Sequence, residues 1–481
     1  MAKLKNIIKQ LSDQDYEAIY DSLLESSADK SAYLLKSMRE KQQSDNKIME
    51  ELGVNTNAYY TLRSRLNQKI EEYLLQQMEN PRTDILKKVA NINEIIFTKK
   101  KAIAIATLKK LEKELLDYDL SNELTIVYKS LKKLHINSAD YFNYSQLYNK
   151  HVAFTLAVDK AEELLAEYFK KYGNFTLMGE DVSKLELTLL TKEMNNVSGL
   201  YKSHRMYVYQ SCLNIFHRLF VESEESIQDD LEPIEDILHN VQSIFEEYHL
   251  DSIYYHLKIV FEFLKLEYYS HYKVFRKAEN FYEEVNDSCS SLLTNYTLYT
   301  YPAQFLMTKI KRNIRMGTVA EMYDENEGLF LDYEPDKNDI PNYISYITYR
   351  SLCCYYAKKY DEAAKWINNL LNEISLKKYP NAQLEIKVIL ALQYCMVKDF
   401  DLFNQLINSI QRQIRLLGKD CTEHIITFTK MLKISISESK RNKKSKISSM
   451  ADKFKSYKMS HFMPTLLVNV DDDFIEALSK E

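Results

Sequence analysis

Glycine and proline are scarce, with 7 of each in 481 residues, about 3% together where globular chains carry roughly 12%. Strand-rich folds need turn residues, and dinucleotide-binding folds need glycine at their phosphate loops. All-β, collagen-like and flexible-linker classes are therefore excluded, and helices joined by short polar turns remain. The closest glycines, Gly173 and Gly179, are six apart. Walker A loops, G-x-G-x-x-G fingerprints and nucleophile elbows need shorter glycine spacings, so none of these catalytic loops exists. The six cysteines (Cys212, Cys289, Cys353, Cys354, Cys395 and Cys421) contain no C-x-x-C pair. They read as buried reduced thiols, not as a zinc site or disulfide framework. The ten histidines form no H-E-x-x-H or other i,i+4 pair. No catalytic, cofactor-binding or metal-ligating set is expected, and the chain reads as non-enzymatic.

Long apolar runs are also missing. The longest uncharged stretch, Ser288 to Thr308, is rich in Ser, Thr, Asn and Gln and would not partition into a bilayer. The opening residues lack the apolar core of a signal peptide, so a cytoplasmic protein with no membrane partner is expected. The net charge of −5 gives no global pull toward nucleic acid or anionic lipid. What is abundant is tyrosine: 37 Tyr and 20 Phe stand beside a single Trp. Tyr buries its ring and keeps its hydroxyl wet, which suits half-covered helix pairs and interface anchors.

Residues 1–80 read as an N-terminal module of three or four helices. Asn55-Thr56-Asn57 opens a long one, with Tyr59, Leu62, Leu66, Ile70 and Leu74 at 3/4 spacing, and Pro81 marks its boundary. From 84 to 435 helix follows helix, and one offset pattern recurs: an anchor, a small or apolar residue at +3, and apolar residues at +6 and +10. Copies are Phe275, Ala278, Phe281, Val285; Tyr360, Ala363, Trp366, Leu370; and Phe400, Phe403, Leu406, Ile410. A degenerate copy starts at Gly317, which gives steps of 42, 43 and 40 residues. Near-constant steps indicate a repeat array.

The stretch Tyr355-Tyr-Ala-Lys-Lys-Tyr-Asp-Glu-Ala-Ala-Lys-Trp resembles the turn and second-helix start of a tetratricopeptide (TPR)-like repeat. The resemblance implies that Ala357 and Ala363 hold the small positions where paired helices approach, and Tyr360 the aromatic one. It implies an all-α fold: a right-handed α-solenoid of antiparallel helix pairs whose concave face holds a protein or peptide partner. The ~40-residue step exceeds that family's ~34.

Three segments interrupt the array. Asn174 to Tyr201, with Gly179 and Gly199, reads as a long loop. Glu321 to Asp339 carries eight acidic residues against Lys337 alone and reads as an exposed connector. Its Asp324-x-Asn326-x-Gly328 is no calcium loop, because Pro335 stands where the bidentate Glu belongs. Residues 436–481 form a basic tail in which Ser439 to Lys458 reads as mobile, and Phe474-Ile-Glu-Ala-Leu as a short helix that docks back.

A second functional reading comes from Ile48 to Leu66. Ile48, Leu52, Gly53, Val54 and Leu62 have the spacing of a helix-turn-helix, which would make the chain a DNA-binding transcriptional regulator with a TPR-like sensor. Asn57, Tyr60, Thr61, Ser64 and Arg65 would then face DNA, and Arg63 a phosphate. Residues 1–110 carry 19 basic and 15 acidic side chains. The leading expectation remains a protein-interaction scaffold or adaptor.

Overall fold

The computed structural model describes residues 4, 8, 11, 13–26, 28–39, 45–77, 81–118, 120–179, 181–222, 232–248, 252–331, 333–418, 422–437, 440–459 and 461–479. Among the described residues the fold is all-helical, without a strand, and neighbouring helices pack on one another. The chain divides into two compact units, 1–155 with 248–255, and 156–247 with 256–481.

The first unit holds α1 (Asp13–Glu25), α2 (Asp29–Arg39), α3 (Asp45–Leu52), α4 (Thr56–Gln77), α5 (Pro81–Ala90), α6 (Ile92–Thr98), α7 (Lys101–Asp117) and α8 (Ser121–Leu134). It has two cores. Leu34, Leu35, Met38, Ile48, Tyr59, Leu66 and Ile70 close one, and Leu108, Leu115, Leu124, Val127 and Tyr128 belong to the other. Arg39 fixes the chain start by donating to the carbonyls of Ile8 and Leu11 at 2.7 and 2.8 Å. Helix α9 (Asp140–Met178) begins in this unit and ends in the second.

The second unit continues with α10 (Asp181–Leu200), α11 (His204–Phe220), α12 (Ile234–Glu247), α13 (Ser252–His271, whose residues 252–255 belong to the first unit), α14 (Phe275–Asp287), α15 (Cys289–Asn295), α16 (Ala303–Met316) and α17 (Glu321–Leu329). It closes with α18 (Ile340–Tyr356), α19 (Tyr360–Glu373), α20 (Pro380–Val397), α21 (Phe400–Leu417), α22 (Glu423–Ser437), α23 (Lys440–Lys455) and α24 (Asp472–Ser479).

The expected loop at 174–201 is instead the end of α9, a turn at Gly179 and the whole of α10. Leu187, Leu190, Met194 and Ser198 form a buried helical stripe there, and that burial outweighs the Asn and Gly content. Gly173 stays inside α9 because its bare backbone touches a neighbour: a Cβ would come within 3.0 Å of Pro341 and 3.1 Å of Tyr301. The acidic connector is helical over its first half, with Met322 and Asn326 buried. The segment expected to be mobile, 439–458, is helical across α23, because Ile447, Ala451 and Phe454 present one buried stripe beneath the lysines. The expected terminal helix is present as α24, with Phe474, Ile475 and Leu478 buried.

The array turns share one geometry. Lys273, Gly317, Lys358 and Lys398 each have positive φ, of 59°, 76°, 59° and 66°. In each, the residue after the left-handed position donates to a carbonyl five residues back: Val274 to Tyr269, Thr318 to Asn313, Lys359 to Cys354 and Asp399 to Tyr394. This 6→1 hydrogen bond satisfies an orphan carbonyl at the end of the helix that precedes each turn. The anchors Phe275, Tyr360 and Phe400 all lie two residues beyond the left-handed position. The degenerate copy therefore starts at Val319, not Gly317, with Met322 and Asn326 buried at +3 and +7.

The buried line also differs from the expected offsets. It runs through +3, +7 and +10: Ala278, Tyr282, Val285; Ala363, Ile367, Leu370; Phe403, Ile407, Ile410. At 3.6 residues per turn these three share a stripe, and the anchor and +6 fall on its shoulders. Accordingly Phe275 lies under Arg315 at 3.7 Å, Phe281 stacks on Tyr269 at 5.9 Å, and Trp366 sits 4.9 Å from Arg350. Tyr360 packs beside Tyr355 at 5.9 Å, and Phe400 is 42% exposed.

A left-handed lysine costs about 1–2 kcal/mol that glycine does not incur, offset in part by glycine's greater unfolded entropy. Lys273→Gly, Lys358→Gly and Lys398→Gly are each expected to stabilise the chain by about 0.5–1 kcal/mol. Chemical unfolding of the triple variant checks this. Gly317→Ala should act in the opposite direction.

Candidate functional site

In the first unit, α3 leads through Gly53 (φ 60°) and Val54 into α4. Val54 donates to Met49 at 3.1 Å, and Asn55 Oδ1 caps α4 by accepting from Ala58 at 2.9 Å. Ile48, Tyr59 and Leu66 are buried, with Met49, Leu52, Val54 and Leu62 packed against them. Thr61, Ser64 and Arg65 are exposed. Arg63 points elsewhere: it is 9% exposed, 5.9 Å from the Tyr59 ring. The side chains of Asn57 and Tyr60 lie outside the described residues. Arg65 borders a cavity of about 670 Å³ that Leu62, Gln68 and Lys69 share with Ala28, Asp29 and Lys30. Residues 1–80 carry 11 basic and 13 acidic side chains, and the basic excess lies in 81–110, with 8 against 2.

In the second unit a different feature dominates. After α23 the described residues from Tyr457 form no regular helix, apart from one short turn at Pro464–Leu467, until α24 begins at Asp472. The short turn of this strap touches α16, α20 and α22. Phe462 donates its backbone N–H to Thr176 at 2.9 Å, and the His461 ring meets Phe175 edge-on at 5.2 Å. Tyr356 Oη donates to the Leu467 carbonyl at 2.5 Å and accepts from Asn469 N at 3.0 Å. Thr465, Leu467, Val468 and Val470 are all buried.

The central fastening is Glu385, which is 2% exposed. Its Oε1 meets His424 Nε2 at 2.5 Å, and its Oε2 accepts from the backbone N of Thr465 at 3.1 Å and from the Thr465 hydroxyl. The residue types are those of a hydrolytic triad, but the order is not. The carboxylate lies between the imidazole and the hydroxyl, so the histidine is not placed to take the threonine proton. The arrangement works as a clasp.

The last turns of α9 meet the start of α20, the residues just ahead of α16 and the last turns of α11. Tyr379 Oη donates to Asn174 Oδ1 at 2.7 Å, and Asn381 Nδ2 to the Met178 carbonyl at 3.1 Å. Tyr172 packs edge-on against Phe216 at 4.7 Å and Tyr301 at 5.2 Å. Deeper in the same unit, Thr308 donates to Glu267 Oε2 at 2.9 Å. Burial lifts the Glu267 carboxyl to about 7, against the opposing pull of Thr308 and Lys311.

Because folded Glu267 holds its proton to higher pH than the unfolded chain does, its contribution is most favourable below about 4.5 and is lost as pH rises through about 7. Glu267→Gln is expected to gain about 2–3 kcal/mol on the wild type between pH 5 and pH 8. Urea unfolding at both pH values gives this difference.

Five cysteines are described, all buried and unpaired. Among the described residues no cluster of metal-ligating side chains occurs, and no helix is long and apolar enough to cross a membrane. Sequence reasoning missed the strap and its holders, Tyr356, Glu385 and His424. The strap has no period to detect, and its one visible signal is the apolar run after Pro464. Comparison with protein-family models, with curated proteins and with solved structures gives no match.

Proposed function

We propose that the chain is a non-enzymatic interaction scaffold whose TPR-like array of helix pairs takes an extended segment of a partner protein. The observation that supports this reading is the strap. Residues 461–470 lie across α16, α20 and α22, held by backbone hydrogen bonds and buried Leu467, Val468 and Val470. A surface that holds its own non-helical segment in this way has the pockets and polar fasteners that recognise an extended peptide. The strap stands where the partner would, so partner and strap compete.

The experiment is affinity capture with the full chain, wild type and Tyr356→Phe/Glu385→Gln, using a synthetic peptide of residues 459–471 as competitor. The reading expects a defined protein to be retained more strongly by the double variant and released by the peptide. Capture that the peptide leaves unchanged contradicts it.

A second reading is DNA binding through α4, and it is favoured by the glycine turn, the Asn55 cap and the exposed Thr61, Ser64 and Arg65. Fluorescence anisotropy with mixed-sequence duplex at low and physiological salt tests it. Salt-sensitive binding weakened by Arg65→Ala supports the reading, and no binding at low salt removes it.

A further inference from the structure

Each polar contact between the strap and its seat falls either on backbone, which almost any residue supplies, or on a side chain, which few supply. Tyr356 Oη engages backbone alone, donating to the Leu467 carbonyl at 2.5 Å and accepting from Asn469 N at 3.0 Å. Glu385 engages both. Its Oε2 accepts from the Thr465 backbone N–H at 3.1 Å and from the Thr465 hydroxyl, while its Oε1 is taken by His424 at 2.5 Å. Two N–H donors are needed, so proline is barred at the positions of Thr465 and Asn469. An ionised carboxylate only accepts, so the side chain beside Oε2 must be a donor.

Thr465 is 0% exposed and its acceptor 2%. At such a position a methyl in place of the hydroxyl leaves a buried carboxylate short of a donor. A phosphate there sets a second anion against Glu385 and needs room for three further oxygens. The neighbouring positions add their own demands. Pro464 opens the short turn, in which Leu466 N donates to the Met463 carbonyl at 3.0 Å and Val468 N to the Thr465 carbonyl at 3.2 Å. A proline at the first position of such a turn has a suitable φ and no N–H to satisfy, and Pro464 is buried. The chain leaves the turn extended at Val468 (φ −79°, ψ 115°). Leu467, Val468 and Val470 are buried, whereas Leu466 and Asn469 are half-buried.

We propose, resting on the scaffold reading above, that the partner segment carries an unphosphorylated serine or threonine, preceded by proline and followed by aliphatic residues at +2, +3 and +5. Phosphorylation of that hydroxyl excludes the segment from the array. Backbone hydrogen bonds to Tyr356 and Glu385 supply affinity that is indifferent to sequence. The hydroxyl and the three aliphatic positions supply the selection, as in other modes of peptide capture.

The test uses the full chain with Leu467→Asp/Val470→Asp, whose own strap cannot seat while Tyr356, Glu385 and His424 stay intact. Fluorescein-labelled peptides of residues 459–471 are compared by anisotropy: the natural sequence, Thr465→Ser, Thr465→Val, and the natural sequence phosphorylated at Thr465. The natural peptide is expected to bind saturably and Thr465→Ser to bind within about threefold of it. Thr465→Val should bind about tenfold more weakly or worse, and the phosphorylated peptide at least about a hundredfold more weakly. Binding of Thr465→Val or of the phosphorylated peptide equal to the natural one overturns the proposal and leaves the scaffold reading standing. A natural peptide that does not bind overturns both. Should the doubly substituted chain fail to fold, hydrogen exchange of residues 462–470 in the full chain, with its strap in place, decides. Exchange there must be faster in Thr465→Val than in Thr465→Ser, and equal rates overturn the proposal.

Discussion

Glu385→Ala is expected to destabilise the chain by about 3–5 kcal/mol and to release the strap. The carboxylate is 2% exposed and serves three groups at once: the His424 imidazole, the Thr465 backbone N–H and the Thr465 hydroxyl. Removing it strands all three in a buried site, and it is the stranding that makes the effect large. Glu385→Gln keeps one acceptor oxygen and should lose only about 1–2 kcal/mol. Denaturant unfolding gives the energies. Hydrogen exchange of residues 462–470 shows whether the loss is local, since exchange there should rise further than in α19 or α21. A loss below about 1 kcal/mol for Glu385→Ala would mean that the clasp carries little of the strap's attachment.

Glu325→Ala is expected to cost about 2 kcal/mol, less than a fully buried pair would, because the Glu325 side chain is 37% exposed. Lys309 is completely buried, with its ammonium 2.6 Å from Asn286 Oδ1 and 3.0 Å from Glu325 Oε2. Asn286 in turn donates to the other oxygen of Glu325. Taking the carboxylate away leaves a buried cation with one neutral acceptor. Adding Lys309→Met to Glu325→Ala should recover more than half of the loss, because the charge that needed a partner is gone and the slot stays filled. A double-mutant cycle by urea unfolding measures this coupling. Simple additivity of the two substitutions would show that the pair is not coupled.

That helices dominate was legible in the sequence, because scarce glycine and proline and a 3.6-residue apolar period act at the level of single elements. The recurring turn was half legible. Phe275, Tyr360 and Phe400 marked where the helix after each turn begins, but Lys273, Lys358 and Lys398 looked like ordinary surface lysines, and only the backbone reveals their left-handed geometry. Composition misled where it masked a stripe. The lysines of α23 hid Ile447, Ala451 and Phe454, and the Asn and Gly residues of 174–201 hid Leu187, Leu190 and Met194. Glu325 was one acid among eight until Lys309 was seen beneath it. The strap could not be read in advance, because it has no period and its fasteners, Tyr356, Glu385 and His424, are distant in sequence from the residues they hold. Of the candidate DNA-facing residues, Thr61, Ser64 and Arg65 are exposed as that reading requires, whereas Arg63 turns onto Tyr59.

The most direct measurement is binding of a fluorescein-labelled peptide of residues 459–471 to the full chain, wild type and Tyr356→Phe/Glu385→Gln, by anisotropy. If the array is a surface for an extended segment, the double variant binds the peptide saturably, and unlabelled peptide displaces it. The wild type, with its strap in place, binds at least tenfold more weakly, a difference of about 1.4 kcal/mol. A folded double variant that takes up no peptide would contradict the scaffold reading and leave the strap as a structural closure of the fold.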